Sequence, residues 1–187
     1  MRILIIILLL LPMCMTAQTS KSKPGWRIIS SVGLLAGQSD TKPAFQLSGG
    51  LVMKRHFFGA GIGYEAYRFN TLPVFADWRM DFGRKRAGFL YGNAGYNFPA
   101  DPKKTEEFMP VTQSFRGGLF MDAGIGYKLR IGSMNRLGLS AGYSRKDIRH
   151  IKKFPVTCFE GNCPENRTVL NYRLGRIIAK LSWELGY

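Results

Sequence analysis

The chain of 187 residues carries 27 Lys and Arg against 12 Asp and Glu, a formal net charge of +15, and 45% of it is hydrophobic. That length suits one domain. A basic excess of this size invites a nucleic-acid partner, but the charges are scattered over strand ends and loops rather than gathered on a helix or stripe, which argues against that class and for no nucleic acid.

The first segment is a targeting signal. Residues Ile3 to Leu11 form an unbroken apolar run behind Met1 and Arg2, followed by Pro12 to Ala17 and then polar Gln18. A charged start, a short apolar core and a small residue at the cut define a secretory signal peptide over residues 1–17. The run is shorter than the ~20 residues a spanning helix needs. Leu11-Pro12-Met13 is a poor lead-in for lipid attachment at Cys14. Residues 18–187 are therefore expected to be the mature domain.

From there the apolar period is two almost throughout, which predicts strands rather than helices. Trp26 to Gly37 is a first, poorly alternating strand, and Phe45 to Met53 a second. In the third, Phe58, Ala60, Ile62, Tyr64 and Ala66 alternate with Gly59, Gly61, Gly63 and Glu65. The fourth is the clearest: Leu72, Val74, Ala76, Trp78, Met80 and Phe82 are apolar, with Asp77, Arg79 and Asp81 between them. A helix would scatter those charges around its circumference, whereas a strand puts them on one face. Ala87 to Phe98 is the fifth. The sixth alternates Leu119, Met121, Ala123, Ile125, Tyr127, Leu129 and Ile131 with Asp122, Gly124, Gly126, Lys128 and Arg130. Arg136 to Lys146 is the seventh. The eighth places Ile177, Ala179, Leu181, Trp183, Leu185 and Tyr187 against Arg176, Lys180, Ser182 and Glu184, with Ile178 breaking the polar face.

The connections carry a second signal. Even-numbered strands end in tight turns, at Lys54-Arg55-His56, Gly83-Arg84-Lys85-Arg86 and Gly132-Ser133-Met134-Asn135. The long stretches, Pro99 to Gly117 and about Asp147 to Arg167, follow odd ones. That asymmetry is expected of a barrel with short periplasmic turns and longer outside loops. The fold class is accordingly all-β: an up-and-down antiparallel transmembrane β-barrel of about eight strands.

Alternation alone does not say which face is outside, because a soluble barrel turns its apolar face inward. Four features favour lipid. Several periodic segments reach the ~9–11 residues a tilted strand needs to cross a bilayer. Trp26, Phe58, Phe82, Trp183 and Tyr187 fall near one set of strand ends and Phe45, Tyr96, Phe98 and Phe120 near the other, as interfacial belts require. Gly61, Gly63, Gly95, Gly124, Gly126 and Gly142 would point inward and leave room for long charged neighbours. The last strand ends on Trp183-Glu184-Leu185-Gly186-Tyr187, which resembles the terminal signal read by the barrel-insertion machinery. With these features, and with Ala17-Gln18 at the cut, the mature chain resembles the small outer-membrane β-barrel proteins of Bacteroidota (outer membrane protein beta-barrel domain). That resemblance implies a porin-like cell-envelope barrel in the outer membrane and says little about activity.

Glu65, Asp77, Arg79, Asp81, Asp122, Lys128, Arg130, Arg176, Lys180 and Glu184 are the candidates for a lumen charge network, since buried charges must pair. An ion path lined by the same groups is the functional alternative. Eight strands leave no room for a wide aqueous channel. Cys158 and Cys163 are read as a loop disulfide in an exported compartment, ahead of two free thiols. The sequence has no phosphate loop, paired-Cys zinc pattern or calcium loop, so neither metal nor cofactor is expected. His56 reads as a solvated turn residue. His150, beyond the seventh strand, is weighed as the base of an acyl-transfer site with Ser144 as nucleophile, but residues six apart on a strand lie ~20 Å apart. The loop lysines Lys103, Lys104, Lys152 and Lys153 read as solvated charge, with lipopolysaccharide phosphates as the second reading. The chain is thus expected to be a monomeric, non-enzymatic integral outer-membrane protein with a filled charged lumen. The alternatives are a lipid-modifying enzyme and a soluble secreted barrel with an apolar ligand.

Overall fold

A computed structural model of the protein describes residues 25–37, 40–66, 69–84, 86–101, 103–105, 112–154 and 166–186. The leader expected over residues 1–17, the disulfide expected between Cys158 and Cys163, and Tyr187 lie outside them.

The described residues form β1 (Gly25–Ala36), β2 (Thr41–Met53), β3 (His56–Glu65), β4 (Thr71–Phe82), β5 (Gly88–Pro99), β6 (Lys103–Thr105), β7 (Thr112–Arg116), β8 (Gly118–Arg130), β9 (Asn135–Phe154) and β10 (Asn166–Gly186). Each of the eight long strands pairs antiparallel with its neighbour in sequence, and β10 pairs back onto β1, from Arg27 opposite Gly186 to Ala36 opposite Ile177. The protein is a closed, up-and-down, eight-stranded barrel, and β6 and β7 form a short hairpin in the connection from β5 to β8.

The register fixes its geometry. Trp26 pairs with Leu51, then the ladder steps through Phe58, Trp78, Gly92, Ala123, Tyr143 and Ile177 to Ala36. One circuit therefore climbs ten residues along β1. With strands ~4.8 Å apart and a rise of ~3.3 Å per residue, that stagger tilts them by about 40°.

The alternation selects these strands because every second side chain meets a different medium. In β4, Thr71, Pro73, Phe75, Asp77, Arg79 and Asp81 are buried inside, while Leu72, Val74, Ala76, Trp78 and Phe82 are exposed outside. β1 alternates as strictly, contrary to its sequence appearance. Ile29 and Leu35 blur the pattern because they too face inward, and Ile178 does the same in β10, packing with Leu35 and Ala44.

The tight turns lie at one end. Lys54 and Arg55 join β2 to β3, with Lys54 in the left-handed region at φ 59°. Gly83 at φ 85° and Arg86 at φ 53° bracket the β4–β5 turn. Residues 131–134 join β8 to β9. This end also carries Gly25 and Gly186 and is called the turn end below.

Both predicted long loops are partly strand. β9 continues to Phe154 and β10 begins at Asn166, so the connection spans residues 155–165 rather than Asp147 to Arg167. Past Tyr143 the outward residues become Arg145, Asp147 and Arg149, opposite Gly175, Arg173 and Asn171. The ladder goes on while the apolar period stops. In the other loop, β7 extends β8 along β9 with its register shifted by one residue at Gly117. This bulge needs glycine, because a Cβ there would overlap the Asn97 carbonyl oxygen.

Candidate functional site

The lumen holds polar groups in three tiers along the barrel axis. At the turn end, β4 contributes Asp77, Arg79 and Asp81, β1 Arg27, β8 Lys128 and β10 Glu184. Arg79 Nη2 lies 3.0 Å from Asp77 Oδ2, and its Nη1 lies 3.4 Å from Glu184 Oε1. Arg27 reaches both Asp81 and Glu184 at 3.4 Å. Lys128 Nζ is 3.2 Å from Glu184 Oε2 and also pairs with Asp81. The Ser48 hydroxyl donates to Asp77 at 2.6 Å. Three cations thus meet three carboxylates.

The middle tier is smaller. Lys180 Nζ stands 2.6 Å from Asp122 Oδ2 and 3.8 Å from the centre of the Tyr91 ring. Gln46 and the Tyr91 hydroxyl also donate to Asp122, at 3.2 and 3.1 Å. In the upper tier Arg176 Nη1 lies 2.9 Å from Glu65 Oε2, and Lys146 Nζ lies 3.5 Å from the same oxygen. Lys146 further donates to Thr71 Oγ1 at 2.9 Å, and Arg176 to Ser144 Oγ at 3.0 Å. Arg176, Lys180 and Glu184 recur every four residues along β10. That is two strand periods, so one strand supplies each tier from a single face.

Nine of the ten sequence-picked charges are buried inside and ion-paired. Arg130 is the correction. It ends β8 as an exposed residue and lines a cavity at the turn-end mouth with Arg136, Lys54 and Arg86. Arg27 and Lys146 were missed as lumen groups, although each shares its parity with small or polar neighbours, Ser31 and Gly33 in one case and Ser140 and Ser144 in the other.

The interior is also more aromatic than its charge suggested. Phe57, Phe75, Phe89 and Tyr91 are buried among the charges. Phe120, expected in an outer belt, is 0% exposed inside and packs on Phe75 with ring centres 5.6 Å apart. Its parity with Asp122 in the same strand was the overlooked signal. Several inward glycines make room for aromatic rings, whereas Gly33 makes room for the long stem of Lys180. A Cβ at Gly61 would lie 2.6 Å from the Phe75 ring, and one at Gly124 would lie 2.8 Å from the Tyr91 ring.

The outer wall carries Trp26, Phe58, Trp78, Phe82 and Trp183 toward the turn end and Phe45, Tyr64, Tyr96, Phe98 and Tyr143 toward the other. The Trp183 indole N–H donates to the Asn135 side chain at 3.3 Å. His56 is not a solvated turn residue. It opens β3, half-buried on the outer face, with its ring 6.1 Å from those of Phe58 and Trp78.

His150 lies in β9, buried within the part of the strand that projects beyond the apolar wall. Its ring stacks on Phe115 at 4.4 Å and its Nε2 is 3.1 Å from Gln113 Oε1. Burial, helped by nearby Lys152, pulls its pKa below the ordinary histidine value. The Ser144 hydroxyl is engaged by Arg176 instead, so these two residues are not brought together.

No protein-family profile and no curated protein sequence matches the chain. Solved structures do resemble it. A de novo designed transmembrane β-barrel is 13% identical, with a TM-score of 0.47, covering 90% of this chain and 100% of that one. The outer membrane protein OprG from Pseudomonas aeruginosa is 10% identical, with a TM-score of 0.49, covering 87% and 96%. The translocator domain of the autotransporter NalP from Neisseria meningitidis is 11% identical, with a TM-score of 0.23, covering 91% and 90%.

Proposed function

We propose that the protein is an integral outer-membrane β-barrel with a filled, ion-paired lumen, and that its work is structural or loop-mediated rather than enzymatic. One observation carries this reading. Large apolar side chains such as Leu34, Ile62, Ile125, Leu139 and Ile177 are more than half exposed around the outer wall, while the carboxylates and cations of the three tiers are buried. A soluble barrel would need the opposite arrangement, since a continuous exposed apolar band of this extent is an association surface in water. Hydrocarbon of bilayer thickness is the medium that suits it, with the two aromatic girdles at the interfaces. The tiers fill the interior, which supports a plug more than a wide aqueous path. The separate engagements of Ser144 and His150 give the lipid-modifying alternative no support from that pair.

The test is electrophoretic mobility of the mature protein extracted from outer-membrane fractions. An intact barrel is expected to stay folded in detergent when unheated, to migrate differently after boiling, and to precipitate when detergent is removed. A mature protein that remains soluble and monomeric without detergent would overturn the assignment.

A further inference from the structure

Above the apolar wall, on the outward side of the β7–β9–β10 sheet, lies a cavity of about 470 Å³. Its lower lip is apolar: Tyr96 and Leu119 belong to the top of the outer wall. Its upper side is cationic, with Arg116 from β7, Arg149 from β9 and Arg173 from β10. All three are exposed. Arg116 and Arg149 stand directly opposite each other in the ladder. A like-charged cross-strand pair destabilises a sheet unless an anion lies between its members. Asp147 offers little relief, because its carboxylate is 3.4 Å from Arg145, and Arg149 spends its Nε on the Asn171 side chain at 3.1 Å. Among the described residues, neither Arg116 nor Arg173 has a carboxylate within ion-pair distance.

We infer that this cavity is a binding site for the phosphorylated headgroup of an outer-leaflet lipid, held by Arg116, Arg149 and Arg173 with its acyl chains lying down the wall below Tyr96 and Leu119. The guanidinium fork matches phosphate oxygens in a bidentate way. The volume suits a sugar-sized headgroup. The apolar lip distinguishes a lipid from a free anion: a soluble phosphate would gain nothing from Tyr96 and Leu119. The site differs from Lys103 and Lys104 of β6 and Lys152 and Lys153 of β9, which the sequence suggested as loop residues for the same chemistry.

This inference rests on the outer-membrane reading, and the experiment separates the two. Refolded full-length mature protein in detergent is titrated with diphosphorylated lipid A, with its dephosphorylated counterpart and with inorganic phosphate, and binding is read by native mass spectrometry. The wild type is expected to retain one diphosphorylated lipid. The R116Q/R149Q/R173Q variant is expected to bind it about tenfold or more weakly, since each lost charge-assisted contact is individually substantial. The single R149Q variant should fall between them, and K152Q/K153Q should match the wild type. Equal binding of the dephosphorylated lipid, displacement by inorganic phosphate at matching concentration, or unchanged binding by the triple variant would each overturn the site. Unchanged heat-modifiable mobility of the variants keeps a loss of binding from being a loss of fold. A wild type without that mobility would count against the barrel itself.

Discussion

The lower and upper parts of the β9–β10 ladder share one hydrogen-bonded register but have opposite polarity. Below Tyr143 and Ile177, outward residues are Leu137, Leu139, Ala141, Leu181 and Leu185, and inward ones are Ser140, Lys180, Ser182 and Glu184. Above that level, Arg145, Asp147, Arg149, Asn171 and Arg173 point outward, while Ile148 and Leu174 turn inward and His150 and Tyr172 pack inward with Phe69 and Phe115. On the outer-membrane reading, a continuous strand pair inverts its faces where its surroundings change from hydrocarbon to water. Strand pairing is therefore indifferent to the medium, whereas side-chain polarity records it.

The largest test of this contrast concerns the tier at the boundary. Glu65 is the carboxylate that faces both Arg176 and Lys146. Replacing it with leucine leaves two buried cations without their counter-charge, which is expected to cost about 3–5 kcal/mol. Urea unfolding of the barrel in phosphatidylcholine vesicles reads this as a lowered midpoint, and an unchanged midpoint would mean that the lumen is wetter than the packing implies. Next in size is the outer wall. Ile125→Arg places a charge on a residue 54% exposed to the surroundings in the middle of the wall. A cost of about 2–4 kcal/mol is expected there. Asn171→Glu, which puts a charge of the opposite sign across from Arg149 on the outward face of the upper sheet, is expected to change stability by less than about 1 kcal/mol. Similar effects at both sites would erase the boundary drawn here.

The smallest effect is a titration. His150 is buried on the inward side of the upper sheet, with Phe69, Phe115, Gln113 and Tyr172 around it and Lys152 nearby. Its folded-state pKa is lowered, so protonation favours the open state. The stability this ring contributes is present above its unfolded pKa of about 6.5 and is lost as pH falls toward the depressed folded value. An NMR titration of the imidazole should give a midpoint below about 6.5. A midpoint above it would place the ring in water.

Much of the wall was legible because alternation is local. Leu72 to Phe82 declares its two faces without reference to any other strand, and the short turns at Lys54, Gly83 and Gly132 give the meander its direction. The same rule misled where apolar residues serve both faces: Ile29, Leu35, Phe120 and Ile178 are greasy yet internal. It also stopped too early at Lys146, since a strand in water needs no outward apolar band.

The sequence by itself determined an alternating, meandering chain whose charges would have to share an interior, since period two and the turn residues act within a few positions. Only the tertiary structure decided which charge meets which. Arg176 finds Glu65 across 111 residues and Arg79 finds Glu184 across 105. Those meetings follow from the ten-residue stagger of the closed ladder, a property of all eight registers together that no single strand carries.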